Sequence, residues 1–390
     1  MQTPDVVVLV PGFLGFSRFG GFYYFAERVV AVVRSVLEER LGYTVPVVPC
    51  TTHPTDALVT RQRHLVDYLG NLCTKTLAGV ERIHLVGHST GGVDAQLLAC
   101  TRPLDGRAWG QKANDVRQKI RSVVTISAPH YGTCLADSWL AYWAENPFVR
   151  WAPIVHGIKL GYHVLRLVPE ELPAIRRLQL ARDVIAFLAE VAFHRELIAD
   201  LRPANMEKLR STLTPEPGVA LTCFVTGTPL RARSERPSDS FFTDMYALTK
   251  GDGKASPAVD KCRGLLQDLI KRKPDLVIRS DHSRMPRAMP GELNDGVVNT
   301  IRQVVDPDDR SQVGGFVVAD HADVLGHYDR QDSLIEGTPY NAGLFHSGAG
   351  FGDDEFFKLY RRVGEAILCA VSSRAGSPRS SPTKPSRRRG

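Results

Sequence analysis

The stretch "RIHLVGHSTGGVDAQLLAC", residues 82–100, changes character in its middle. Its first six residues, Arg82 to Gly87, read as a short buried strand, with Ile83, Leu85 and Val86 as its apolar side chains. From Gly91 to Cys100 the apolar residues fall at helical spacing. Between them lies Gly87-His88-Ser89-Thr90-Gly91, a G-x-S-x-G pattern placed directly after a strand and directly before a helix. Alone, five residues of this kind arise by chance. In this context they carry a mechanism. A sharp strand-to-helix turn forces the serine into an unusual backbone geometry and lifts its hydroxyl above the sheet. Gly87 and Gly91 leave room for that elbow, and the helix N-terminus adds partial positive charge beside it. Ser89 is the candidate nucleophile. His88 is its neighbour, but adjacent side chains in a tight turn point in different directions, so His88 reads as a packed turn residue.

The same alternation extends to both sides. "DVVVLV" (5–10) is a β-branched run suited to a strand covered on both faces, and 22–41 has helical spacing. "YTVPVVP" (43–49) reads as a strand, 56–79 as a helix, and "SVVTIS" (122–127) as a further strand. Later strands are expected at 219–227 and 314–320, with a closing helix over 353–371. Strands alternating with helices imply an α/β fold: a mostly parallel sheet with helices on both faces. Two segments interrupt it. Residues 134–213 are rich in leucine, valine, Trp139, Trp143 and Trp151 at helical spacing, broken by prolines, and are expected to form a helical cap or lid insertion. Residues 229–293 form an irregular, charged, Gly- and Pro-rich insertion with one helix near 258–272. The expected core is therefore 1–133 with 214–371, and 372–390 forms a basic tail.

Composition narrows the class. A chain of 390 residues with 43% hydrophobic and 23% charged residues can bury a large core. No apolar run reaches the ~18 residues of a membrane-spanning helix. The start lacks a basic leader and a signal-peptide core, so a cytoplasmic location is expected. Seven dispersed cysteines without metal-ligand spacing suit reduced thiols. Of the net charge of +7, six charges sit in the last nineteen residues: Arg374, Arg379, Lys384, Arg387, Arg388 and Arg389. The body is close to neutral. Such a tail predicts disorder and weak contact with anionic surfaces at most, with no specific nucleic-acid partner.

An acyl-transfer site also needs donors for a developing oxyanion. One is the backbone N–H of Thr90, the residue after the elbow serine. The second belongs in the loop after the first strand, "VPGFLGF" (10–16), where Gly12 permits close approach and Phe13 supplies the N–H.

Taken in order, "VLVPGFLGF", "GHSTGG", "ISAPHYGT" (126–133), "NDGVVNT" (294–300) and "DHADVLGHY" (320–328) resemble the α/β-hydrolase superfamily. The nearest likeness is to bacterial triacylglycerol lipases of the Pseudomonas and Burkholderia type. It spans roughly residues 5–135 and 290–330 and leaves the insertions and tail uncovered. One departure is Pro11, where these lipases usually carry a histidine before the glycine. The resemblance implies an α/β-hydrolase fold and makes Asp295, in the Asn-Asp-Gly block, the triad carboxylate. An exposed carboxylate at a strand edge is the expectation there; Asp275 and Asp281 are its competitors. Chain order in this fold runs Ser, then acid, then His, which leaves His321, His327 and His346. His321 follows an apolar strand directly, where catalytic groups of α/β sheets collect, and is preferred over His327. Asp323 occupies the position of a calcium-ligating aspartate in such lipases, but one carboxylate does not make a calcium site and it reads as a helix cap. No metal or cofactor is assigned.

The expected function is a serine carboxylic-ester hydrolase, a lipase or esterase, working through an acyl-enzyme on lipid-like or other apolar esters. "GFSRFGGFYYF" (15–25) and the helical insertion would line its acyl pocket, with Phe13 and Leu14 at the rim. The alternatives are an acyltransferase or polyester depolymerase with the same triad, or a non-catalytic binding protein on the same fold.

Overall fold

The computed structural model of the chain describes residues 4–13, 18–19, 22–53, 55–77, 79–138, 196–229, 245–251, 255–281, 283, 289–326, 328, 334–335, 338–339 and 349–372. Seven parallel strands form the central sheet: β1 (Asp5–Val10), β2 (Val47–Pro49), β3 (Arg82–His88), β4 (Ile120–Ile126), β5 (Ala220–Thr226), β6 (Val277–Ile278) and β7 (Val313–Val317). Their order is β2-β1-β3-β4-β5-β7-β6. All six residues of β1 are buried, as a strand covered on both faces requires. Its period of two sorts the side chains. Val7 and Leu9 join one apolar layer, while Val6, Val8 and Val10 join the other.

The first layer is closed by helices α1 (Glu27–Leu41) and α8 (Asp353–Ser372). In α1, Val29, Val33 and Leu37 repeat every fourth residue and make one buried stripe. In α8 the stripe is Phe356, Leu359, Tyr360, Val363 and Ile367. Its start carries Asp353, Asp354 and Glu355, which suit the positive end of the helix dipole. The opposite layer is closed by α2 (Leu58–Asn71), α3 (Thr90–Leu98) and α4 (Gln111–Arg117). All nine residues of α3 are buried, which follows from its place directly behind the elbow.

Further along the sheet, α7 (Pro257–Arg272) packs Val259, Cys262, Leu266 and Leu269 against Val225 and Phe316. It begins with Pro257 at the first turn, and Ser256 Oγ accepts from the Val259 N–H. This helix, inside the segment read as an irregular insertion, covers the sheet. The helical pattern of 134–213 continues at its described ends, residues 134–138, α5 (Glu196–Asp200) and α6 (Pro203–Arg210). Residues 139–195, with the three tryptophans, lie outside the described residues, as does the tail beyond 372. Among the described residues no helix is long and apolar enough to cross a membrane.

The strand order fixes where a site can form. From β1 the chain steps outward to β2, then returns to the other side of β1 as β3. The chain leaves β1 for α1 on one face of the sheet and leaves β3 for α3 on the other, and the carboxyl edge at such a point is the usual ligand position in these folds.

Candidate active site

Ser89 follows the last residue of β3 and precedes α3, with φ 56° and ψ −132°. This is a positive-φ conformation that L-residues other than glycine rarely adopt, at a cost of about 1–3 kcal/mol. The backbone around it is packed too tightly for side chains at its glycines. A Cβ on Gly87 would overlap the carbonyl of Gly91, and one on Gly91 would overlap the carbonyls of Val10 and Pro11. Gly12, in the loop after β1, approaches so closely that a Cβ there would sit 2.7 Å from Ser89 Cβ. The structure thus brings the Gly12–Phe13 loop, Ser89 and the first residue of α3, Thr90, to one point. Phe13 packs its side chain with Leu58, Val93, Leu197, Ile198 and Leu201, an apolar cluster that α5 helps to build. Leu14 lies outside the described residues.

Asp295 and His321 are joined twice. The His321 N–H donates to the Asp295 carbonyl at 2.9 Å, and His321 Nδ1 lies 2.9 Å from Asp295 Oδ2. An ionised carboxylate only accepts, so Nδ1 carries the proton and Nε2 is left as the free base of the ring. The His321 side chain retains 14% exposure, whereas Asp295 has none. The expectation of an exposed carboxylate is therefore corrected: Asp295 is buried because donors surround it. Val297 N and Val298 N reach Oδ1 at 3.0 and 2.8 Å, a turn that Gly296 permits with φ 96°. Thr226 Oγ1 and Gln303 Nε2 reach Oδ2 at 2.6 and 3.2 Å. Thr226 in turn contacts Ser127 Oγ at 2.8 Å, and Ser127 is the second described non-glycine residue with positive φ, 54°. The competitors Asp275 and Asp281 are exposed. His327 and His346 lie outside the described residues. Asp323 Oδ2 accepts from the Asp320 N–H at 2.9 Å and so closes the short turn that carries His321.

His88 does more than fill the turn. Its Nε2 lies 2.9 Å from the His321 carbonyl and its Nδ1 lies 2.7 Å from Tyr24 Oη. A carbonyl can only accept, so Nε2 holds the proton and Nδ1 accepts from the phenol. Burial, and then the nearby His321 ring, hold His88 well below the ordinary histidine range, so it stays neutral. Burial pushes the Tyr24 phenol up, against a hydrogen bond from the Gly12 backbone, and keeps it a donor. One chain of bonds thus links the loop after β1, the elbow and the backbone of His321. The His88 and His321 rings lie 4.6 Å apart, centre to centre.

Arg61 supports the same region from below. It is fully buried; its Nε is 3.0 Å and its Nη2 2.6 Å from Asp94 Oδ2 on α3. Nη2 also comes within 3.5 Å of the carbonyls of Pro11 and Gly12, and Nη1 donates to the His53 carbonyl. Tyr24, Arg61, Asp94, Thr226 and Gln303 belong to no motif of the sequence. Tyr24, Arg61 and Thr226 meet partners 33 to 69 positions away, and Gln303, eight residues from Asp295, carries no motif that marks it.

Residues 7–295 match the alpha/beta hydrolase family; the match ends at Asp295 and leaves His321 outside it. A triacylglycerol lipase of Pseudomonas fragi is 27% identical over 137 residues, 35% of this chain and 39% of that protein, so the alignment spans well under half of the relative's length. Among solved structures, EstA from Clostridium botulinum is similar with 18% identity and a TM-score of 0.49 over 94% of this chain and 87% of that one. Lipase 1 from Pelosinus fermentans is similar at 17% identity and a TM-score of 0.49, over 93% and 99% of the two chains. With a family match over most of its length, laid over the parallel sheet described above, the chain belongs to the alpha/beta hydrolase family.

Proposed function

We propose that this protein is a serine carboxylic-ester hydrolase acting on apolar acyl esters. Ser89 is the nucleophile, His321 the base, Asp295 its orienting carboxylate, and the N–H groups of Phe13 and Thr90 the oxyanion donors. The observation that carries the reading is the double tether of His321 to Asp295, on the same sheet crest as a serine held at φ 56°.

In this reading Ser89 Oγ attacks the ester carbonyl and its proton passes to His321 Nε2. The imidazolium is stabilised by Asp295, which keeps its own charge. The carbonyl oxygen becomes an oxyanion and is met by two backbone donors. The C–O bond to the alcohol breaks, and the alcohol leaves with the proton from His321. Water then attacks the acyl-enzyme by the same route in reverse and releases the acid and free Ser89. Residues 134–213 act as a cap over the acyl chain. The apolar cluster joining Phe13 to α5 supports that assignment and favours a lipid-like acyl group over a charged one.

Hydrolysis of p-nitrophenyl esters of increasing acyl length tests this. The wild type should turn over and prefer apolar acyl chains, while Ser89→Ala should lose roughly 10³–10⁶ in kcat. Equal activity in Ser89→Ala, or none in the wild type, rejects the reading.

A further inference from the structure

Away from the crest, the described residues bring His53, Asp56 and His64 together. His53 and Asp56 belong to the segment that leads from β2 into α2, and His64 stands in the second turn of α2. One carboxylate oxygen, Asp56 Oδ2, lies 3.7 Å from His53 Nδ1 and 3.8 Å from His64 Nδ1. All three ligand atoms lie within 4.8 Å of one another. These separations are too long for hydrogen bonds. They are close to what a shared ion needs, since ligands at ~2.0–2.1 Å in a tetrahedron stand about 3.3 Å apart. An independent observation points the same way. His64 Nδ1 is buried and has no hydrogen-bond partner among the described residues. A buried polar atom without a partner is costly, and here it shares its surroundings with the Asp56 carboxylate.

We infer that His53, Asp56 and His64 form a three-ligand site for a divalent transition-metal ion, zinc being the ion that fits best. Two imidazoles and one carboxylate suit zinc, whereas calcium and magnesium call for oxygen ligands throughout. The His53 side chain is 59% exposed, so solvent reaches the site and water can take the fourth position. Occupancy would pin the segment around residue 53 to α2. That segment holds Arg61 through the His53 carbonyl, and Arg61 supports the loop carrying Gly12. The ion is thus placed to stiffen the crest from outside it, whatever reaction the crest performs.

The test uses the full chain, stripped with EDTA and dialysed against zinc chloride near neutral pH. At roughly 100 µM zinc, a hundredfold above a micromolar dissociation constant, one zinc per chain and a raised melting temperature are expected. His53→Ala, His64→Ala and Asp56→Asn should each weaken binding at least tenfold and lose the thermal shift. In EDTA they should melt with the wild type. Cobalt added to the wild type should shift the NMR ring signals of two histidines. Zinc uptake unchanged in all three variants, no uptake at that concentration, or no histidine signal shifted by cobalt would each overturn the inference.

Discussion

Tyr24→Phe tests whether the crest is held by the bond chain through His88. The substitution deletes one oxygen and keeps the ring in a site where Tyr24 is only 4% exposed, so packing is preserved. What is lost is the donor 2.7 Å from His88 Nδ1, together with the oxygen that accepts from the Gly12 backbone. That nitrogen is buried, and leaving it without a donor costs about 1–3 kcal/mol. The imidazole can relieve the cost by moving its proton to Nδ1, but Nε2 then has nothing to give the His321 carbonyl. His321 keeps both bonds to Asp295, so its tautomer survives while its backbone loosens on one side. A positioning loss of roughly 1–2 kcal/mol corresponds to a fall in kcat of about 5- to 30-fold. Asp295→Asn, which removes the tautomer lock itself, should cost on the order of 10⁴. The assay pairs kcat and KM on a p-nitrophenyl ester with urea denaturation of the same preparation. A fall in stability with kcat unchanged would refute the positioning role. No change in either would refute the bond chain.

Arg61→Met strands the Asp94 carboxylate in the interior and should destabilise by about 3–5 kcal/mol in urea titration, while the pair Arg61→Met/Asp94→Leu should recover much of that; a double variant weaker than the single contradicts the account. Gly91→Ala drives a methyl into the carbonyls of Val10 and Pro11 and should lose well over 3 kcal/mol or fail to fold, whereas Gly264→Ala, exposed on α7 with open space around it, should gain up to about 1 kcal/mol. Burial also holds His130 well below the ordinary histidine range, as it does His88, so both are neutral when folded. The unfolded chain binds their protons below about pH 6.5, so their stabilisation is complete above that pH and is lost as pH falls, by up to roughly 3 kcal/mol per pH unit. Urea midpoints that stay flat from about pH 7 to about pH 5 would contradict this, and His130→Gln should reduce the slope by about half.

The parts of the site that were legible in the sequence are those a strand-to-helix turn or chain order dictates. The elbow reads locally because Gly87, Ser89 and Gly91 answer to one backbone constraint within five residues. His321 follows from order and from its place after β7, and here it meets Asp295. What stayed hidden is whatever depends on contacts across the fold. Tyr24 is 64 positions from His88, Arg61 is 33 from Asp94, and Thr226 is 69 from Asp295. None of these pairs has a periodicity. The local Asn-Asp-Gly sequence around Asp295 suggests a solvent turn, and although Val297 and Val298 supply two donors locally, the Thr226 hydroxyl that meets the carboxylate's other oxygen comes from β5, across the fold. Strand β6 has two residues, too few for any alternation to show.

The sheet register explains why these groups meet despite long intervening segments. Val10 pairs with Gly87, His88 with Ile126, Ile126 with Phe224, and Thr226 with Val317. The carboxyl ends of β1, β3, β4, β5 and β7 therefore finish nearly level. Gly12, Ser89, Ser127 and Thr226 all stand at or within two residues of a strand end, and His321 stands four beyond β7. Parallel strands place every such end on the same edge, so a segment inserted between them adds chain without shifting the register. The insertion between β4 and β5 leaves five paired positions from Ser122↔Ala220 to Ile126↔Phe224 intact. The strain at Ser89 can persist because the same level edge surrounds it with glycine backbone on one side and the buried bonds of Tyr24, His88 and Arg61 on the others. A substitution that lowers any one of these supports should release the elbow before it unravels the sheet, so crest function is expected to fail at smaller losses of stability than the fold does.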